Sequence, residues 1–164
     1  MHSTPVLSGD GATVFVASNS DQLYALDAAT GAEKWSKRTA GNMPSSPALS
    51  RDGATVFVGS DDNKLYAVDA ATGAETWRFT TGLWVHSSPA VSHDGATVFV
   101  GSADKKLYAV DAMTGTERWH FTTGGQVHSS PTLSGDGATV FVASDEAYYD
   151  SKVYAVNAVT GAEK

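Results

Sequence analysis

Apolar residues recur along this chain in short bursts of neighbouring positions: Val14-Phe15-Val16, Val56-Phe57-Val58, Val98-Phe99-Val100 and Val140-Phe141-Val142, each soon after an Asp-Gly pair. A second burst follows in every unit, at Leu23 to Leu26, Leu65 to Val68, Leu107 to Val110 and Val153 to Val156. Runs this short, rich in β-branched and aromatic residues and bounded by Asp-Gly and Thr-Gly, predict strands. The apolar residues are consecutive rather than alternating, so both faces of these strands must be covered. Two flanking segments complete the unit. In the second unit these are residues 45–50, Ser-Ser-Pro-Ala-Leu-Ser, and residues 76–80, where Trp77 and Phe79 alternate with polar neighbours. Small side chains and a proline place the first of these at an inner edge, and alternation marks the second as a half-exposed outer edge.

The block Asp-Gly-Ala-Thr-Val-Phe-Val begins at Asp10, Asp52, Asp94 and Asp136, three shifts of 42 residues. Four inserted residues precede the last copy of the second burst, and the register resumes after them. Trp35, Trp77 and Trp119 mark a third block, and the chain ends at Lys164, where a fourth tryptophan would come next. Four short antiparallel segments per repeat predict an all-β propeller of four four-stranded blades, the last lacking its outer strand. The blades fall at about residues 1–40, 43–82, 85–124 and 127–164 of one repeat array. A β-solenoid is the alternative, but its repeats are shorter and its strands parallel, whereas these turns are of hairpin type.

The spacing Ala25-x-Asp27-x-x-Thr30-Gly31-x-x-x-Trp35 recurs with Ala67, Asp69, Thr72, Gly73 and Trp77, and with Ala109, Asp111, Thr114, Gly115 and Trp119. It resembles the tryptophan-docking motif of the PQQ-like (quinoprotein alcohol dehydrogenase-like) propeller repeat, and the resemblance covers essentially the whole chain. WD-type repeats fit less well, because no unit has a Gly-His followed by a Trp-Asp. The fourth copy keeps Ala155, Thr160 and Gly161 but carries Asn157 in place of aspartate and no tryptophan. In physical terms the Asp and Thr side chains satisfy backbone donors in a tight turn, Gly adopts a positive φ, and the indole swings onto the neighbouring blade.

The resemblance implies a ring of eight blades, of which these four are half. Exposed apolar faces at both ends of such an arc predict a homodimer that closes the ring. A closed four-bladed monomer and a fragment of a longer array are the alternatives. Boundaries that fall inside the repeat suggest an excised or engineered segment. The family includes quinoprotein dehydrogenases, the scaffold lipoprotein of the outer-membrane β-barrel assembly machinery, and repeat arrays attached to sensor kinases and cell-surface proteins. A periplasmic, extracellular or cell-envelope location is implied by the resemblance alone.

Composition narrows the partners. Eighteen acidic against eleven basic side chains give a formal charge of −7, which opposes nucleic-acid binding by counterion release. No apolar run approaches the roughly 18 residues that span a bilayer. The absence of cysteine excludes disulfides, thiolate metal sites and cysteine nucleophiles.

Strand parity places the outer-to-inner loops and the loops between second and third strands at one end of the propeller. That end is expected to gather Leu83-Trp84, Gly125-Gln126 and the loops 61–64 and 145–152. His2, His86 and His128 head three inner strands, with Pro44 in the second unit. In a two-chain ring these imidazoles would surround the axial channel and could hold a metal or an anion. The plainer expectation is a polar cap copied by duplication. The insertion Asp145-Glu146-Ala147-Tyr148-Tyr149-Asp150 offers carboxylates and tyrosines to calcium or a protein partner, although a tolerated loop insertion explains it as well. Trp84 stands where other units carry Asn42 and Gln126, either as an interface anchor or folded over a neighbouring loop. His93 and His120 replace Arg51 and Arg78, which marks solvated positions.

Near-identical units make rings of like residues, whereas catalysis needs different groups converging on one point. The expected function is therefore a non-catalytic scaffold or protein-interaction module with partners on the top-face loops. The alternative is a remnant or half of a PQQ-dependent dehydrogenase. Its resemblance would imply calcium ligands, a catalytic aspartate and an adjacent cysteine pair, and the pair is absent. Neither PQQ nor calcium is expected as a cofactor.

Overall fold

The computed structural model describes residues 3–146 and 150–164. Every element among them is a strand. The first blade contains β1 (Val6–Leu7), β2 (Thr13–Ala17), β3 (Gln22–Asp27) and β4 (Glu33–Arg38). The second contains β5 (Ala48–Leu49), β6 (Thr55–Ser60), β7 (Lys64–Asp69) and β8 (Glu75–Thr80). The third contains β9 (Ala90–Val91), β10 (Thr97–Ser102), β11 (Lys106–Asp111) and β12 (Glu117–Thr122). The fourth contains β13 (Thr132–Leu133), β14 (Thr139–Glu146) and β15 (Asp150–Asn157). Spatial order follows chain order in each antiparallel sheet, and the fourth sheet has three strands.

The inner strands pair over only two residues, as Ala48 and Leu49 do with Phe57 and Val56. Proline has no N–H to offer the ladder at Pro47, and upstream of it a side chain replaces the backbone. Gly59 N–H donates to Ser45 Oγ at 3.1 Å, Gly101 N–H to Ser87 Oγ at 3.1 Å and Ala143 N–H to Ser129 Oγ at 2.8 Å. The next serine links blades. Thr4 N–H donates to Ser46 Oγ at 2.8 Å, Ser46 N–H to Ser88 Oγ at 2.9 Å, and Ser88 N–H to Ser130 Oγ at 3.1 Å. Thus the Ser-Ser pairs form the hydrogen-bonded lining of the axis. Small residues are required beside them: a methyl group at Gly59 would sit 2.5 Å from Val85.

Among the described residues three apolar clusters form, one at each junction between successive blades. Phe57, Leu65 and Ala67 on the rear of the second blade meet Val98, Val100, Tyr108 and Val110 on the front of the third, with Val85 between them. The first junction repeats this with Phe15, Leu23 and Ala25 against Val56, Val58, Tyr66 and Val68. The third uses Phe99, Leu107 and Ala109 against Val140, Val142 and Val156. This explains the consecutive apolar residues, since each strand faces two neighbouring blades.

The end blades lack one neighbour each. Val14, Val16 and Leu26 on the front of the first blade are half-buried, whereas Val56, Val58 and Val68 are fully buried. On the rear of the fourth, Phe141 is 38% and Val153 75% exposed. The arc is open, so the closed four-bladed alternative is not the fold this chain adopts.

The insertion in the fourth unit corrects the expectation of a loop over 145–152. β14 and β15 continue their ladder through Ser144↔Lys152, Asp145↔Ser151 and Glu146↔Asp150. Four added residues place two in each strand, and an even number per strand preserves which face every side chain occupies.

Candidate functional site

The turn between third and fourth strands is built the same way in the first three blades. Asp69 Oδ1 accepts from the backbone N–H of Ala71 at 3.1 Å and of Thr72 at 2.8 Å, and from the Thr72 hydroxyl at 2.7 Å. Asp27 and Asp111 accept the equivalent set through Thr30 and Thr114. These donors hold the carboxylates below their ordinary range. For Asp27 and Asp69 the threonine hydroxyl dominates, and Asp111 falls to about 2 because Arg118 donates to its other oxygen at 2.7 Å. Gly73 follows at φ 74, the left-handed region that favours glycine.

Each such turn forms a cradle for the indole of the blade before it. A methyl group at Gly73 would lie 2.7 Å from Trp35, one at Gly115 2.7 Å from Trp77, and one at Gly161 2.8 Å from Trp119. Trp35 Nε1–H donates to the Ala70 carbonyl at 3.0 Å and Trp77 Nε1–H to the Ala112 carbonyl at 3.1 Å. The departure to Asn157 leaves the fourth turn intact, because its side-chain oxygen accepts from Val159 and Thr160 N–H at 2.9 Å each. At Gly31, alone among the four cradles, a methyl group would meet nothing within 4 Å.

The loops expected at one end do meet there. Asp61 N–H donates to the Asn42 carbonyl at 2.8 Å, Ala103 N–H to the Trp84 carbonyl at 3.0 Å, and Gln126 bridges Asp145. On this rim Trp84 stacks on His86 with centroids 5.5 Å apart, and His86 stacks on His128 at 5.4 Å. Asp61 Oδ1 lies 2.7 Å from His86 Nε2 across the second junction, whereas His128 Nδ1 lies 3.2 Å from Asp145 Oδ2 in its own blade. Trp84 remains 45% exposed beside Leu83 at 41%. The indole therefore both packs on a neighbour and presents an apolar surface.

Other rim carboxylates are committed to packing. Tyr66 donates to Asp62 at 2.5 Å and Tyr108 to Asp104 at 2.6 Å, and Asp104 also accepts Gly82 N–H at 2.7 Å. Burial first, and then the adjacent carboxylate, pushes both phenols well above their usual range. Sequence reasoning alone does not single out Asp62 and Asp104, although both stand four residues before the repeated tyrosine. Glu146 and Asp150 pair through the backbone of the extended hairpin. His2, Tyr148 and Tyr149 lie outside the described residues. His93 and His120 are exposed, His120 Nδ1 sitting 2.7 Å from Glu117. Among the described residues no three metal-ligating side chains are grouped to hold an ion.

Three comparisons place this geometry among known proteins. A family model described as outer membrane protein assembly factor BamB, of the PQQ-like repeat type, matches residues 2–82, 44–94 and 83–164. No match to a curated protein was found. Among solved structures, BamB from Moraxella catarrhalis superposes with a TM-score of 0.82 at 24% identity, over 98% of this chain and 51% of that one. Kuenenia stuttgartiensis hydrazine synthase superposes with a TM-score of 0.84 at 20% identity, over 97% of this chain and 46% of that one. The chain therefore spans about half the length of these neighbours, and the likeness to them is one of fold. On the family match along its repeats, this chain belongs to the PQQ-like propeller-repeat family described as outer membrane protein assembly factor BamB.

Proposed function

We propose that the chain is a non-catalytic propeller scaffold, a protein-interaction module whose ring is completed by a second copy of itself. The observation that carries this reading is the relation between its two open faces. Phe141, Val153 and Ala155 occupy the places of Phe57, Leu65 and Ala67, while Val14, Val16, Tyr24 and Leu26 occupy those of Val56, Val58, Tyr66 and Val68. One chain thus carries both halves of a junction that it already forms three times internally. Two copies related by a two-fold axis would make two more such junctions.

The axial serine ladder supplies a test. It ends at Ser130 in the last blade and begins at Thr4 in the first. In a closed ring Ser130 of one copy stands beside Thr4 of the other, as Ser88 stands beside Ser46. The sequence contains no cysteine, so a Thr4→Cys, Ser130→Cys double variant should oxidise to a covalent dimer on a non-reducing gel. Failure to cross-link under conditions that oxidise a surface cysteine pair would contradict closure.

The scaffold reading rests on the self-paired rim, where His86, Tyr66 and Tyr108 engage the carboxylates while Trp84 and Leu83 face outward for a protein partner. Quinone cofactor added with calcium is expected to leave the thermal midpoint unchanged. Stoichiometric stabilisation would instead support the dehydrogenase alternative.

A further inference from the structure

We infer that Trp84, His86 and His128 form a proton-operated latch on the rim, in which acidification releases His128 from the stack and loosens the end of the last hairpin while His86 holds its place. All parts of the latch belong to one chain, so it operates whether or not copies pair.

The latch crosses two junctions. Trp84 lies in the segment that leads from the second blade into the third, and His86 and His128 precede the inner strands of the third and fourth blades. Ring centres stand 5.5 Å apart from Trp84 to His86 and 5.4 Å apart from His86 to His128. Each imidazole also faces one carboxylate, His86 Nε2 at 2.7 Å from Asp61 Oδ1 and His128 Nδ1 at 3.2 Å from Asp145 Oδ2. Neighbouring charges on the rim are engaged elsewhere. Asp62 accepts from Tyr66 and lies 3.7 Å from Lys64, Asp104 accepts from Tyr108 and from Gly82 N–H, and Lys106 lies over the Tyr108 ring. Lys105 and Lys152 add two further cations to the same hairpins. Asp61 and Asp145 are the charges in direct contact with the pair.

The two imidazoles are unequally held. Imidazole is the side chain whose charge ordinarily changes between about pH 8 and about pH 5. A charged His86 keeps a short, charge-assisted bond to Asp61 and faces the indole of Trp84 as a cation. A charged His128 stands 5.4 Å from that first charge, where like charges repel. Its carboxylate offers less in return, because the Asp145 side chain is 65% exposed and water screens it. With Nδ1–H directed at that carboxylate, the other ring nitrogen of neutral His128 is an acceptor. This Nε2 is buried with no hydrogen-bond partner among the described residues. Protonation turns it into a charged donor with no acceptor beside it, a costlier state than the neutral one. Turning His128 outward to water relieves both the repulsion and the unpaired donor.

Amide hydrogen exchange of the full chain, followed by NMR at about pH 7.5 and about pH 5, reads the opening. Carboxylates ordinarily titrate below this window. The reporters are Gln126 N–H, which donates to the Asp145 carbonyl at 3.2 Å, and Asp145 N–H, which donates to the Gln126 carbonyl at 2.8 Å. Protection, the intrinsic exchange rate at each pH divided by the observed one, should fall at least about tenfold at both amides in acid. It should stay constant at Gly59 and Gly101, whose N–H groups are bonded to Ser45 and Ser87 deep in the second and third blades. His128→Gln and His86→Gln should each abolish the response, the first by removing the charge that leaves and the second by removing the charge that expels it. An unchanged urea midpoint at about pH 7.5 shows that each variant keeps its fold. Protection at Gln126 and Asp145 that stays constant in the unmodified chain, or that falls equally at Gly59 and Gly101, overturns the latch without any variant. A fall as large in either variant as in the unmodified chain overturns it too.

Discussion

Asp, Thr and Gly at fixed spacing close each turn, and an indole from the preceding blade rests on the result. Trp77 packs against Phe57 at 5.7 Å and covers Gly115, so Trp77→Ala should lower stability by about 2–4 kcal/mol, read from the urea midpoint. The same turns respond to acid. A carboxylate held below its ordinary range in the fold stabilises the protein fully above its unfolded value, and that stability is lost as pH falls toward the folded value. Asp111 sits at about 2, chiefly through Arg118. Arg118→Ala should therefore move acid unfolding, followed by circular dichroism, to higher pH. The turn chemistry is legible in the spacing, because all its bonds join residues within seven positions of one another. The partners of the rim histidines are not. His86 finds Asp61 across a junction, 25 residues away. The matching position for His128 is Ala103, so His128 turns to Asp145 in its own blade.

Strand existence and order are readable from consecutive apolar residues, since burial on both faces leaves a local trace. Strand ends are less so. Residues 45–50 contribute only Ala48–Leu49 to the ladder, because Ser45 Oγ takes over the Gly59 N–H that a longer strand would have paired. Val85 of the next blade also closes on Gly59, an approach that no local pattern records. Gly59→Ala should then cost about 1–3 kcal/mol by overpacking against Val85, measurable by chemical denaturation, although alanine is an ordinary strand neighbour elsewhere in the unit. The insertion escapes a local reading for a related reason: turn-like residues at 145–150 suggest a loop, yet an even addition extends a hairpin without disturbing its faces.

The assembled arc has two unlike open ends, and the proposed ring pairs them through the repeat. Val153→Asp would place a charge in the centre of the proposed contact while standing 75% exposed in the single chain. The fold should persist by circular dichroism, and the pairing should be lost, because an unpaired charge is costly to bury. The decisive observation is the solution mass of the unmodified chain by light scattering across a dilution series. Two chain masses, falling to one on Val153→Asp, is the predicted outcome. A single-chain mass at every concentration, with the fold intact, contradicts it.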